Sequence, residues 1–439
     1  MTPIALALAI FAVMLVMMAV RIPIGVAMFA AGSFGYLAQT DWGPYANFLK
    51  SLAHARFSTY DLSVIPLFLL MGQFASQGGL SRALFRFAAG LLGRLKGGLS
   101  MASIVACAAF GAVCGSSVAT AATLSSVALP EMARHGYSGR LSTATLAAGG
   151  TLGIMVPPSV ILVIYGILTE QNIAKLFAAA MLPALIMIAG CMIAIGAYVR
   201  LVPGHVPDHD QVERASLRSA LAGVAPIGLI FVLVFGGIYG GVFTPTEGAA
   251  IGALATFVVA LARRELGLAG IATSFYLTAQ SSAMIFLIFL GADVMNSALA
   301  LTQVPNQLAE GIGALGIPPL AIVAIILLVY IALGCVMDEL SVILLTMPIF
   351  FPIVMGLDFG MDYSEQAIWF GMLVLMTVVI GLLTPPVGLN VYIVNSMAKG
   401  VPIAESYRGV LPFLVVGLLA TVLLLLVPEI PLAFVRMMD

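Results

Sequence analysis

Gly153-Ile154-Met155-Val156-Pro157-Pro158-Ser159 sits in the middle of a long apolar run. Gly381-Leu382-Leu383-Thr384-Pro385-Pro386-Val387 sits in the same setting 228 positions later. A Pro–Pro pair cannot lie inside a continuous helix, because the second ring removes an N–H and both rings bar the preceding residue from α geometry. In a soluble chain this would mark a loop. Inside a membrane, broken backbone is tolerated only where it is buried in protein or lines a wet cavity. Two Pro-interrupted apolar segments at matching places in two halves of a chain point to the binding site of a carrier.

Composition sets the class. The 439 residues are 62% hydrophobic and 8% charged, with a mean hydropathy of +1.14. A soluble domain is about a quarter charged, so the chain reads as an all-α polytopic membrane protein with the lipid bilayer as its first partner. A span takes about 20 apolar residues, which leaves room for about ten or eleven. The net charge of −1 says nothing about partners, and no basic tract points to nucleic acid, so none is expected. The run 3–20 has no Lys or Arg before it and no small-residue cleavage site behind it, so it reads as a retained helix. Cys107, Cys114, Cys191 and Cys335 lie in apolar runs without CxxC spacing; they read as small buried side chains rather than disulfide or metal ligands.

Spans are expected near 3–20, 22–39 and 62–79, followed by an amphipathic interfacial helix over 81–98 that carries four basic residues. The stretch 99–133 is apolar but interrupted at Gly111 and at Gly115-Ser116-Ser117. Each arm is short for a crossing, so it reads as a re-entrant helical hairpin. A span over 138–168 holds the first Pro–Pro break, and another follows at 173–199. The polar segment 203–218 reads as the linker between a first half, 1–202, and a second half, 219–439. That second half repeats the plan: spans at 219–242, 246–262 and 271–300, an interfacial piece at 303–315, a hairpin at 318–357 interrupted at 334–339, a broken span at 366–398 and a last span at 403–427.

Punctuation residues support the repeat. Pro23 matches Pro245 and Pro130 matches Pro352 at an offset of 222, while Gly153, Pro157 and Pro158 match Gly381, Pro385 and Pro386 at 228. Five crossings per half make the two repeats inverted. Counted on that topology, fourteen Lys and Arg residues fall on one side, and Lys50, Arg56, Lys175 and Arg436 fall on the other. By the positive-inside rule the first side is cytoplasmic, as is the 203–218 linker, and both termini face outward.

Each hairpin tip is expected to face its broken span across the middle of the membrane. Half-helix N-termini there present positive dipole ends to an anionic substrate, and unwound carbonyls and hydroxyls replace the water shell of a small cation. Hard oxygen ligands suit sodium. The candidates at the first site are Ser116, Ser117 and Thr120 with the backbone of Gly153 to Val156. At the second they are Met337 and Asp338, beside Glu339, with Gly381, Thr384 and Pro385. Ser117, Pro158, Ser159 and Asn390 are the candidates for substrate contact. Ser116-Ser117 also suits simple helix packing, and for Asn390 and Asn395 packing is an equal alternative.

Acids at membrane depth are costly and usually functional. The candidates are Asp293 and the Asp338-Glu339 pair. Asp338 can be a cation ligand, a proton carrier or a buried anchor, a part that Ser116 at the matching position of the first half could also play, and Asp293 is a second relay candidate. Glu247, in Thr244-Pro245-Thr246-Glu247, reads better as a helix cap. His54, His135, His205 and His209 fall in expected loops, and His205 and His209 with Asp208 and Asp210 read as a solvated face rather than a metal site. There is no phosphate loop, HExxH or GxSxG, so neither ATP hydrolysis nor a membrane hydrolase is supported, and no organic cofactor is implied.

Several stretches resemble one family. They are Gly115-Ser116-Ser117-Val118-Ala119-Thr120-Ala121-Ala122-Thr123, Ala128-Leu129-Pro130-Glu131-Met132, Ala147-Ala148-Gly149-Gly150-Thr151-Leu152-Gly153-Ile154 running into Pro157-Pro158-Ser159, Thr244-Pro245-Thr246-Glu247, Gly334-Cys335-Val336-Met337-Asp338, and Leu383-Thr384-Pro385-Pro386-Val387-Gly388-Leu389-Asn390. The sequence is similar there to the large membrane subunit of TRAP (tripartite ATP-independent periplasmic) transporters, over nearly the whole chain. The resemblance implies an elevator-type, sodium-coupled carrier in the bacterial inner membrane, with Na+ as coupling ion at the hairpin tips and broken helices. It also implies a small four-helix membrane subunit, expected here as a separate chain, and a soluble periplasmic binding protein. The substrate would be a carboxylate, such as a C4-dicarboxylate or sialic acid. Two alternatives are a stand-alone carrier of the same architecture and a proton-coupled exchanger using Asp338 or Asp293.

Overall fold

The computed structural model describes residues 2–207, 217–304, 307 and 316–438. Among them the chain is helical throughout. The first half contains α1 (Pro3–Ala19), α2 (Ile24–Leu37), α3 (Trp42–Phe57), α4 (Val64–Gln77), α5 (Leu80–Leu92), α6 (Gly98–Cys114), α7 (Ser117–Arg134), α8 (Gly139–Thr151), α9 (Val160–Thr169) and α10 (Ile173–Leu201). The second contains α11 (Leu217–Tyr239), α12 (Pro245–Ala262), α13 (Leu268–Leu301), α14 (Pro319–Gly334), α15 (Glu339–Met355), α16 (Tyr363–Gly381), α17 (Leu389–Met397), α18 (Ile403–Leu426) and the short α19 (Glu429–Leu432). Most of the 203–218 linker and of the 303–315 piece, with Asp208, His209 and Asp210, lies outside the described residues.

Local chemistry sets the helix ends. Pro23 and Pro245, the matched prolines, both stand where a helix begins, where the missing N–H has no intrahelical partner to lose. At α12 the cap is a full box: Thr244 Oγ1 accepts the Glu247 N–H at 3.2 Å, and Glu247 Oε2 accepts the Thr244 N–H at 2.8 Å. Glu247 is therefore a capping residue.

Among the described residues, five helices are long and apolar enough to cross a membrane: α10, α12, α13, α16 and α18. The other apolar helices are shorter. α3 was expected to be a loop and is a helix, bent 61° from the run that follows it; the two pass the same test only together. His54 thus lies in a helix, and His135 caps the end of α7. Gly111, expected to interrupt the first hairpin, is inside an unbroken α6. α5 buries Leu80, Leu84, Phe85, Ala88 and Ala89 against α6 and α11 and leaves Arg82 and Arg86 exposed, as its amphipathic pattern requires.

The halves are interlocked. α2 packs along α13, and α12 packs along α4, so each half supplies one helix to the other's layer. A second group holds α6–α10 with α14–α18. Within it α6 packs on α8 and α14 on α16, while α8 of the first half lies against α18 of the second. Two close approaches in this second group are glycine on glycine. A Cβ added to Gly111 would lie 2.4 Å from Gly153 Cα, and one added to Gly381 would lie 2.6 Å from Gly334 Cα. Only a residue without a side chain lets the hairpin arm touch the broken helix there.

Candidate functional site

The first hairpin turns at Gly115, whose φ of +64° is a left-handed backbone conformation, and α7 restarts immediately with Ser116 as its N-cap. Beyond α8, one 3-10 turn (Leu152–Ile154) leads into the Pro157–Pro158 break, and Ser159 caps α9. The second hairpin turns through Cys335–Asp338, with Asp338 as the N-cap of α15. Its broken partner runs from Leu382 to Gly388 between α16 and α17. Both Pro–Pro bonds are cis. Each tip meets its own break. Gly115 lies against Pro158 O and Val160 N, while Cys335 O accepts the Val387 and Gly388 N–H groups at 3.2 Å each.

At the first site three candidate positions converge. A Cβ placed on Gly153 would lie 2.5 Å from Thr120 Oγ1 and 2.8 Å from the Ser116 carbonyl oxygen. Thr120 Oγ1 is buried with no oxygen or nitrogen partner, and only the weakly hydrogen-bonding Cys114 thiol is beside it among the described residues. Such a hydroxyl costs free energy unless something polar completes it. The donor set is two hard oxygens one turn apart at the start of α7, both facing Gly153, and hard oxygens suit a small hard cation. Val156 is half-buried and its N–H goes to Leu152 O at 3.0 Å; Pro158 and Ser159 are buried behind it.

The second site is arranged differently. Asp338 accepts from the Ser341 N–H at 3.2 Å and also from the Ser341 hydroxyl, so both carboxylate oxygens serve the cap. Thr384 donates to Ile380 O at 2.7 Å, and the Met337 N–H goes to Leu333 O at 3.0 Å. Gly381 ends α16 at the glycine crossing. Pro385, Pro386 and Val387 are exposed, and Tyr407 from α18 donates to the Pro386 and Val387 carbonyls. Asn390 is buried: Nδ2 reaches Ala147 O of the first half at 3.5 Å, while Oδ1 has no partner. Asn395 donates to Val401 O and Ser406 Oγ, a structural use.

Three contacts escaped the sequence. Glu339, a candidate there as one of the Asp338-Glu339 pair, is buried, and Ser117 Oγ donates to its Oε1 at 2.8 Å. The two residues are 222 positions apart, which is the repeat offset itself, so extending the match of Ser116 with Asp338 by one residue would have found the pair. Asp293, a relay candidate, is gripped by Arg56 of α3 through Nε at 2.6 Å and through a second, shorter contact from Nη2. His205 joins Ser138 Oγ at 2.7 Å and the Tyr198 hydroxyl at 3.2 Å, pinning the loop after α10 to the start of α8. Burial, followed by the Arg140 charge, pushes its imidazole below the ordinary histidine range.

Opposed hairpins, paired breaks and buried oxygens between them define a multi-pass secondary carrier. The chain belongs to the family described as "Tripartite ATP-independent periplasmic transporter, DctM component", which matches residues 11–430. It is 36% identical to a C4-dicarboxylate TRAP transporter large permease protein of Pseudomonas aeruginosa, over 88% of this chain and 89% of that one. It is 29% identical to a protein of the same description from Vibrio cholerae, over 95% of each. It is also 29% identical to an ectoine/5-hydroxyectoine TRAP transporter large permease protein of Ruegeria pomeroyi, over 97% and 98%. In fold it is similar to the YdaH transporter of Alcanivorax borkumensis, with a TM-score of 0.64 at 16% identity, over 89% of this chain and 90% of that one. Membership makes it a permease rather than an enzyme, places it in the bacterial inner membrane, and implies a small membrane subunit and a periplasmic binding protein as partners.

Proposed function

We propose that this chain carries a small carboxylate inward across the membrane, driven by sodium, after a periplasmic binding protein delivers it. The carboxylate class is supported by two helix N-termini that meet at the hairpin tips with no basic side chain paired to them among the described residues. The relatives' descriptions agree in part, since they name C4-dicarboxylates and also ectoines. The α6–α10 and α14–α18 group moves as one body against α1–α4 and α11–α13, an elevator motion. Residues 1–202 and 219–439 are the inverted repeats, 203–218 is the cytoplasmic linker, and both termini are periplasmic.

The observation that carries sodium coupling is the unpartnered Thr120 hydroxyl beside the Ser116 carbonyl at Gly153. Proton relay is the weaker reading, because Asp338 is engaged by Ser341 and Asp293 by Arg56. The test is the melting temperature of the purified chain in sodium against equal potassium, for the wild type, Thr120→Ala and Thr384→Ala. A bound ion stabilises by about 2.7 kcal/mol at a hundredfold excess over Kd. The expected result is a sodium-specific rise, absent in Thr120→Ala and reduced in Thr384→Ala. A well-folded wild type indifferent to sodium would refute the coupling.

A further inference from the structure

Ser117 opens α7 and Glu339 opens α15, so the contact between them joins the N-termini of the two returning hairpin arms. The Glu339 carboxylate lies where both helices point their free N–H groups. Besides the Ser117 hydroxyl, the Ser117 N–H and its own N–H face it. Each N-terminus carries about half a positive charge. Glu339 is 6% exposed, and no Lys, Arg or His pairs with it among the described residues. Its second oxygen, Oε2, is buried with no partner at all. The two helix ends therefore already hold a carboxyl group, and that group belongs to the chain.

Symmetry makes the arrangement more telling. Positions 117 and 339 are equivalent in the two repeats, and the first copy places a short hydroxyl there. The second copy places a carboxylate long enough to reach across to it. Taking the hairpin tips as the substrate site, on which this step rests, we infer that Glu339 is a tethered stand-in for the carboxylate of the substrate. It fills the subsite formed by the α7 and α15 N-termini when the carrier is empty, and it is expelled when cargo arrives. A substrate carboxylate cannot take the Ser117 hydroxyl and the N–H groups of Ser117 and Glu339 while the Glu339 carboxyl occupies them. The orphaned Oε2 makes expulsion cheaper, since half of the side chain has no hydrogen bond to lose. An occupied subsite also lets the empty carrier return without exposing two unpaired helix ends.

Acetate is the probe, being a carboxylate too small to make other contacts. The full chain is purified in detergent with sodium and melted with chloride or acetate as the anion, as wild type, E339A, E339Q and E339A/S117A. Acetate should raise the melting temperature of E339A by about 2 °C or more over chloride. E339Q should respond less, the wild type not at all, and the double variant should lose the effect. No response in either single variant, or the same response in the wild type, would overturn the inference. E339Q preserves the volume of the side chain, so it decides the matter if E339A does not fold. The sodium-against-potassium difference is read on the same wild type. Its absence strikes the coupled-carrier reading, whereas a sodium rise without an acetate response strikes this inference alone.

Discussion

The α6–α7 hairpin turns through Gly115 and Ser116 and offers hydroxyls; the α14–α15 hairpin turns through Cys335–Asp338 and offers carboxylates. Behind the first, the Pro157–Pro158 break is buried, while behind the second Pro385–Pro386 is exposed and is held by Tyr407. What the two share is backbone: a glycine crossing, a capped restart and a Pro–Pro interruption. What differs is side chains. Backbone geometry thus sets where a ligand can sit, and the residues added to each copy decide which ligand it is. The copy with neutral oxygens has an unsatisfied hydroxyl, and the copy with acids has Asp338 fully engaged by Ser341 and Glu339 held through one oxygen only.

The shared part can be broken first, and should show the largest effect. Gly111→Val and Gly334→Val each drive a branched side chain into the opposing glycine backbone, and overpacking of this kind costs about 3 kcal/mol. Both should abolish folded, monodisperse protein in size-exclusion chromatography. If only one does, the crossings are not equivalent. A smaller effect is expected where the halves are pinned to each other. Arg56→Ala leaves the nearly buried Asp293 without its partner and should lower unfolding stability by about 2 kcal/mol, whereas Arg56→Ala with Asp293→Ala should recover most of it. Equal losses in the single and double variants would show that the pair contributes through packing alone.

The smallest effect separates the repeats by pH. His205 holds the start of α8 in the first half, whereas the matching helix, α16, is capped by Asp362, which accepts the Glu365 N–H. Because burial keeps the folded imidazole less basic, the unfolded chain binds more protons below its own pKa of about 6.5. Stability contributed by neutral His205 should be fully present above that pH and fall as pH drops through it towards the folded value. His205→Gln should flatten this slope in thermal melts, and an unchanged slope would assign it elsewhere.

Much of this architecture was legible in the residues. The Pro–Pro pairs, the 222 offset and the short hairpin arms placed α6–α9 and α14–α17 within a few positions, because backbone chemistry at Gly and Pro depends little on surroundings. The helix α3 was missed because Trp42-Gly43-Pro44 opens it and Lys50, His54 and Arg56 dilute its apolar pattern. Its Arg56 finds Asp293, which no local pattern shows. Gly111 was misread as a break because a glycine that breaks a helix and one that admits a neighbour look alike in sequence. Only the distance to Gly153 tells them apart. Asp338 and Glu339 were paired as candidates without their separate parts, since a cap and a carboxyl aimed across the molecule are distinguished by direction rather than by residue type.

The exchange of α2 with α13 and of α12 with α4 has a consequence for how this protein is made. α2 leaves the ribosome early, yet the surface it belongs against, α13, is synthesised only after more than half of the chain. At ordinary elongation rates that interval is on the order of ten seconds or more. During that wait the first half sits in the bilayer with its glycine-lined faces against lipid, so an insertase or chaperone that shields them would find its substrate here.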